Sequence, residues 1–323
     1  MPAWPGEVSG MFTTCVSICY TIAVRLKIVP YLRLCRLEHW VKNFLVFLPP
    51  FFLGVMFHIE HLRSAAPAFL SFSLVASAVY VLNDVNDRES DRLHPLKRLR
   101  PVASGEVGVA PAVALAAVLC VAGASMLLLA HSPIWAAVVL AMYFLCNVAY
   151  SVRFKNTPLV DIFLLASGFV FRIFYGGFFF GIEISSWLFL CLFSGALYFA
   201  CGKRKNEMAR VGAASGSRTV LKFYTQKFLD AHYYMFCGLA ILFYCLWTIT
   251  RTDQHAVGKL ALTIPVMVFI LARYNYIVES DDCDGDPVPV LFHDKWLILA
   301  TLFFVALNFV ILYFGAYLPR VRY

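Results

Sequence analysis

Charge is scarce in this sequence. Of its 323 residues only 14% are Asp, Glu, Lys or Arg and 61% are hydrophobic, where a soluble domain carries about a quarter charged and about half apolar residues. That deficit excludes a water-soluble globule and places the chain in a bilayer. Paired cysteines are also missing. Ten cysteines are scattered with no CxxC pair and no Cys/His spacing of the metal-binding kind, which excludes a dithiol redox centre and leaves the thiols as small apolar residues. No basic segment precedes the short apolar stretch near residues 11–24, so a cleaved leader is not expected. Low-complexity tracts and internal repeats are absent as well, which removes solenoids and a second soluble domain. Residues 1–32 are expected to form an N-terminal arm and residues 33–323 one membrane domain.

Apolar runs, by contrast, are plentiful. A spanning helix needs about 20 apolar residues. Runs centred on 44–58, 66–82, 108–130, 134–150, 159–180, 186–201, 231–250, 257–278 and 296–317 predict an all-α integral membrane protein with nine transmembrane helices. Basic residues fall in alternate loops: Arg25 to Lys42, Arg88 to Arg100, Arg153 with Lys155, and Lys203 to Lys227 mark one face, while the opposite loops hold mainly Arg63, Arg251 and Lys259. Basic loops stay cytoplasmic, so the net charge of +8 belongs to the inner face. Such a face attracts the headgroups of membrane lipid or phosphorylated substrates, and it calls for no nucleic-acid partner.

Ten charged side chains crowd between Asp84 and Glu106. If the second span stays helical, Asp84, Asp87 and Asp91 stand at spacings of three and four, and Asn83 joins through Asp87, so one face presents an amide and three carboxylates. Like charges so spaced repel. A hard cation such as Mg²⁺, which takes oxygen ligands and bridges carboxylates to phosphates, relieves that repulsion. A juxtamembrane helix held by its own salt bridges is the plainer alternative. Downstream, "HPLKRLRP" sets Lys97, Arg98 and Arg100 beside the carboxylates, and guanidinium forks with lysine point charges bind phosphate. Arg172 lies deep in the fifth span, about three turns from Asp161 on the same face; an intramembrane arginine is costly and by default functional or paired. Lys42 and Arg273, near span ends, suit either snorkelling or substrate contact.

Asn83-Asp84-x-x-Asp87-x-x-x-Asp91 resembles the first aspartate-rich motif of the UbiA-type intramembrane prenyltransferase superfamily. "RLEHWVKN" with Arg36, Trp40, Lys42 and Asn43, "HPLKRLRPVASG", "YSVRFKNTPLVD" with Asp161, "SGFVFRIFYGG" with Arg172, "GKRKNE" with Lys203, Arg204 and Glu207, and "ARYNYI" with Arg273 and Tyr274 resemble its decaprenyl-phosphate phosphoribosyltransferase branch. The resemblance implies helices around a central cavity open to the cytoplasmic side of a bacterial inner membrane. It implies transfer of 5-phosphoribosyl from phosphoribosyl diphosphate to a polyprenyl phosphate, with release of diphosphate. On this resemblance Mg²⁺ sits on Asp84 and Asp87, with Asp91 as ligand or support, and Asp84, Asp87 and Arg172 are catalytic. Lys42, Asn83, Asp91, Lys97, Arg98, Arg100, Asp161, Lys203, Arg204, Glu207, Arg273 and Tyr274 are the implied substrate-binding residues, and a homo-oligomer is compatible with it. The wider superfamily carries a second aspartate-rich motif after the sixth span, where this chain has "CGKRKNEMAR"; a basic segment there suits additional phosphates. An aromatic prenyltransferase fed by polyprenyl diphosphate would leave that segment unexplained. A transporter of phosphorylated lipids or anions would be expected to show repeats and midplane charges, whereas the charges here gather at one end.

Overall fold

A computed structural model describes residues 28–211, 219–251, 258–280, 290–291 and 293–318. All regular structure among the described residues is helical. Eight helices are long and apolar enough to cross a membrane: α1 Ile59–Asn86, α2 Val109–Leu129, α3 Ile134–Val152, α4 Val160–Phe179, α5 Ser186–Val211, α6 Gln226–Thr250, α7 Ile264–Ser280 and α8 Lys295–Phe314. They coincide with the second to ninth apolar runs. Their outward faces are apolar, with Leu128 79% and Val121 66% exposed, as lipid-facing positions require. Of the expected N-terminal arm, residues 1–27 lie outside the described residues; Ile28–Cys35 is helical and crosses the expected boundary at 33.

The first of the nine expected runs is not one α-helix among the described residues. Leu37–Phe47 is a 3-10 helix, and a short α-helix, Leu48–Leu53, follows it and ends at Gly54 with φ +82°. Pro49 and Pro50 supply no backbone N–H and sit in the first turn of the short α-helix, so two rungs of a continuous α-helical ladder are missing at the junction. At about 2.0 Å per 3-10 residue and 1.5 Å per α residue, the two pieces together extend about 30 Å, the thickness of a bilayer core.

This 3-10 segment is bound to the bundle by polar contacts from α1. Trp40 Nε1 donates to Ser77 Oγ at 2.9 Å, and Asn43 Nδ2 donates to Ser73 Oγ at 2.9 Å. Its other side lies against α4 at Gly176, where a Cβ would sit 2.0 Å from the Val46 carbonyl oxygen; only glycine allows that approach. Around it, Val46, Phe72, Tyr143 and Tyr175 form one buried cluster, while Ile162, Tyr198, Tyr233 and Tyr274 belong to a second built across α4 to α7. At 1.5 Å per residue, α1 is about 42 Å long against a hydrocarbon core of about 30 Å. The helix is therefore longer than the core, and its polar C-terminal end, Asn83 to Asn86, is composed to lie outside it.

Candidate active site

The helix carrying the carboxylates continues almost unbroken. α1 ends at Asn86, Asp87 caps it, and a short helix Arg88–Arg92 follows, with the Asp91 N–H donating to the Asp87 carbonyl at 2.8 Å. The three carboxylates do not share one open face. Each is neutralised from elsewhere, which is how the fold relieves their repulsion: Arg36 reaches Asp84 at 2.5 Å, Arg100 bridges Asp84 at 3.3 Å and Asp91 at 2.6 Å, and Lys155 pairs with Asp87. Asn83 Nδ2 also donates to Asp87 at 3.3 Å, while Asn83 Oδ1 accepts from Ser151 Oγ at 2.8 Å. Arg36 makes its contact from a left-handed backbone, φ 47°, a cost for a non-glycine residue that is tolerated where the surroundings over-determine it.

A cavity of about 440 Å³ opens beside these groups. Seven cationic side chains, Arg36, Lys42, Lys97, Lys155, Arg172, Lys203 and Arg204, line it, against only two carboxylates, Asp87 and Asp91. The imbalance suits a polyanion. His94 lines the mouth, with its Nδ1 accepting the Leu96 and Lys97 N–H groups at 3.2 and 3.3 Å; desolvation and then the Lys97 charge hold its pKa below the ordinary histidine value.

Arg172 forms the floor and is 5% exposed. Its Nε donates to Asn43 Oδ1 at 2.8 Å and one terminal nitrogen to the Gly168 carbonyl at 2.5 Å, and the guanidinium lies over the Phe72 and Tyr143 rings at 5.1 and 5.2 Å. None of these partners carries a negative charge, and among the described residues no carboxylate pairs with Arg172. Arg204 is the opposite case. It has no exposed surface, and it donates to Asp161 at 2.6 Å, to Glu207, and to Tyr150 OH at 3.0 Å. Asp161 also accepts from Tyr224 OH at 2.6 Å, and burial, with that bond to Asp161, raises the Tyr224 pKa.

The structure thus brings Lys42, Asn83, Asp87, Asp91, Lys97, Arg172, Lys203 and Arg204 of the expected set to one cavity. Asp84 and Arg100 stand behind its wall as an ion pair, Asp161 and Glu207 stand behind Arg204, and Arg98 is exposed on the loop. Arg273 and Tyr274 do not line this cavity: Arg273 pairs with Asp294 at 2.6 Å, holding that carboxyl below its usual range, and Tyr274 packs tilted against Tyr198 and edge-on against Phe199. Arg36, Lys155, Tyr143 and Tyr150 line the cavity without having been expected as site residues. Arg36 and Lys155 did lie in basic segments of the same face, which was the available signal.

Among the described residues no three His, Cys, Asp or Glu side chains converge as a ready metal cage. Mg²⁺ does not need one, since it keeps several waters and binds through one or two carboxylates together with substrate phosphates. The oxygens of Asp87, Asp91 and Asn83 on the cavity wall are donors of that kind.

Fold and site together define an all-α integral membrane protein with a cationic cavity at one end of its bundle. The sequence profile described as the UbiA prenyltransferase family matches residues 47–285, and the chain belongs to that family. It is 33% identical over 280 residues to the decaprenyl-phosphate phosphoribosyltransferase of Corynebacterium glutamicum, with 85% of this chain and 84% of that protein covered. To the protein of the same name from Mycobacterium tuberculosis it is 35% identical over 282 residues, covering 84% and 90%. A solved UbiA homolog from Archaeoglobus fulgidus, bound to GPP and Mg²⁺, shares the fold with a TM-score of 0.63 at 22% identity, over 88% of this chain and 99% of that one.

Proposed function

We propose that this chain transfers 5-phosphoribosyl from phosphoribosyl diphosphate to a polyprenyl phosphate, in a bacterial inner membrane with the cavity facing the cytoplasm. The names of the two relatives above support this reading. The observation that carries it is the buried, un-neutralised Arg172 in a cavity whose cations outnumber its carboxylates. Diphosphate, the donor's 5-phosphate and the lipid phosphate bring anionic groups to three positions, and an aromatic acceptor brings fewer.

In the reaction the bond from ribose C1 to the diphosphate oxygen breaks and the electron pair leaves with diphosphate. A bond forms from C1 to an oxygen of the lipid phosphate. Asp87 and Asp91, with Asn83 beside them and Asp84 behind, would hold Mg²⁺. Bound there, the ion would neutralise charge on the leaving diphosphate. Lys97 and Lys155 at the mouth add electrostatic stabilisation, and Arg172 and Lys203 hold phosphate deeper in the cavity. A phosphate monoester, with a second pKa of about 6, is already largely ionised at neutral pH, so positioning of the acceptor replaces a general base.

The test is purified protein given ribose-labelled phosphoribosyl diphosphate, Mg²⁺ and polyprenyl phosphate, alongside a reaction with polyprenyl diphosphate and 4-hydroxybenzoate. Label should enter the organic phase in the first mixture, vanish with EDTA, and fall at least about a hundredfold in rate in Asp87→Asn, the scale on which one key electrostatic contact acts. A prenylated aromatic from the second mixture without label in the first would overturn the reading.

A further inference from the structure

Arg172 is held by an amide where a carboxylate would be the ordinary partner. A buried guanidinium is costly unless paired, and Asn43, 1% exposed, faces its Nε at 2.8 Å from a segment 129 positions away in sequence. The orientation of that amide is itself determined, because Asn43 Nδ2 is engaged with Ser73 Oγ at 2.9 Å. The carbonyl end is therefore the end turned to Arg172. A guanidinium carries five N–H donors. Nε is taken by Asn43, one terminal nitrogen donates to the Gly168 carbonyl, and the other lies 3.5 Å from Tyr143 OH. The ring faces of Phe72 and Tyr143 accommodate the planar cation without cancelling its charge. Donors thus remain on the terminal nitrogens of a cation that lines the cavity.

We infer that Asn43 is the positioning residue of the cavity floor: its amide, anchored by Ser73, orients Arg172 while leaving the full positive charge for a substrate phosphate. An aspartate here would make the same hydrogen bond to Nε and would neutralise the cation internally. The choice of amide over carboxylate therefore sets anion affinity rather than stability. The inference rests on the proposed phosphate-transfer reading of the site.

The experiment uses the full chain in detergent with Mg²⁺, and measures binding of phosphoribosyl diphosphate and, separately, of geranyl phosphate by calorimetry, with thermal unfolding and steady-state kinetics beside it. Asn43→Asp should keep or raise the unfolding midpoint. It should weaken at least one ligand by about tenfold or more, the size of a lost charge-assisted hydrogen bond, and should raise KM for that ligand more than it lowers kcat. The ligand that weakens identifies whether Arg172 grips the donor's or the lipid's phosphate. Ser73→Ala, which frees the amide to rotate but adds no charge, should weaken the same ligand without unfolding the protein, and it decides the matter if Asn43→Asp does not fold. Arg172→Gln is the control for the underlying reading. Full affinity for both ligands in Arg172→Gln would remove Arg172 from phosphate binding and this inference with it. Loss in Arg172→Gln with wild-type affinity in Asn43→Asp, or in Ser73→Ala where only that variant folds, would overturn the role of Asn43 alone.

Discussion

Lys203 and Arg204 are adjacent in sequence and both line the cavity, yet their surroundings assign them different work. Arg204 spends its guanidinium on Asp161, Glu207 and Tyr150 and so ties α5 to α3 and α4. Lys203, half-buried on the cavity wall, carries an ammonium group of the kind that binds phosphate as a point charge. Arg204→Gln should therefore act on folding: breaking a buried pair leaves Asp161 uncompensated and costs about 3–5 kcal/mol, visible as a lowered unfolding midpoint and poor recovery from the membrane. Lys203→Gln should lose less of the unfolding midpoint than Arg204→Gln and show weaker use of phosphoribosyl diphosphate. Equal thermal losses in both variants would contradict this division.

Among the described connecting elements, the turn from Leu93 to Arg100 is built on a titratable group. It carries Lys97 to the cavity and Arg100 to Asp84 and Asp91, and its turn is closed by two N–H groups donating to a neutral His94 Nδ1. Protonation would place a donor where an acceptor is required. The folded pKa of His94 is depressed, so its contribution is fully present above the unfolded value of about 6.5 and is lost as pH falls through the lower folded value. Protection of the Leu96 and Lys97 amides, measured by hydrogen exchange and corrected for intrinsic rates, should fall between about pH 7.5 and about pH 5, a range spanning the ordinary histidine pKa. In His94→Ala that pH dependence should disappear. Unchanged protection in the parent protein across this range would contradict the closure of the turn by His94.

At the scale of the whole molecule, the cavity takes its cations from the basic end of the helices and, deeper, from Arg172 of α4. A water-soluble donor can then meet a lipid-borne acceptor without crossing the membrane. If the basic end is cytoplasmic, as the proposed function has it, sealed inside-out vesicles should label lipid from externally added phosphoribosyl diphosphate, and sealed right-side-out vesicles should do so only after permeabilisation. Labelling by right-side-out vesicles alone would reverse the orientation.

The sequence by itself determined the membrane class, the apolar core of each of the eight long helices, the aspartate motif and the basic character of one end. These are local properties: hydropathy is read over about 20 residues, and helical neighbours lie three and four positions apart. It did not determine the 3-10 path of the first run: Pro49 and Pro50 mark only its junction, while the close seat of Val46 on Gly176 is a tertiary contact. Nor did it separate residues that face the cavity from those that support them. Asp84 turned away to Arg36 across 48 positions, Lys155 reached Asp87 across 68, and Asn43 met Arg172 across 129. No local spacing encodes such pairings, because the partner of a buried charge is chosen by which helices pack together and which neutralising group they bring within hydrogen-bonding distance.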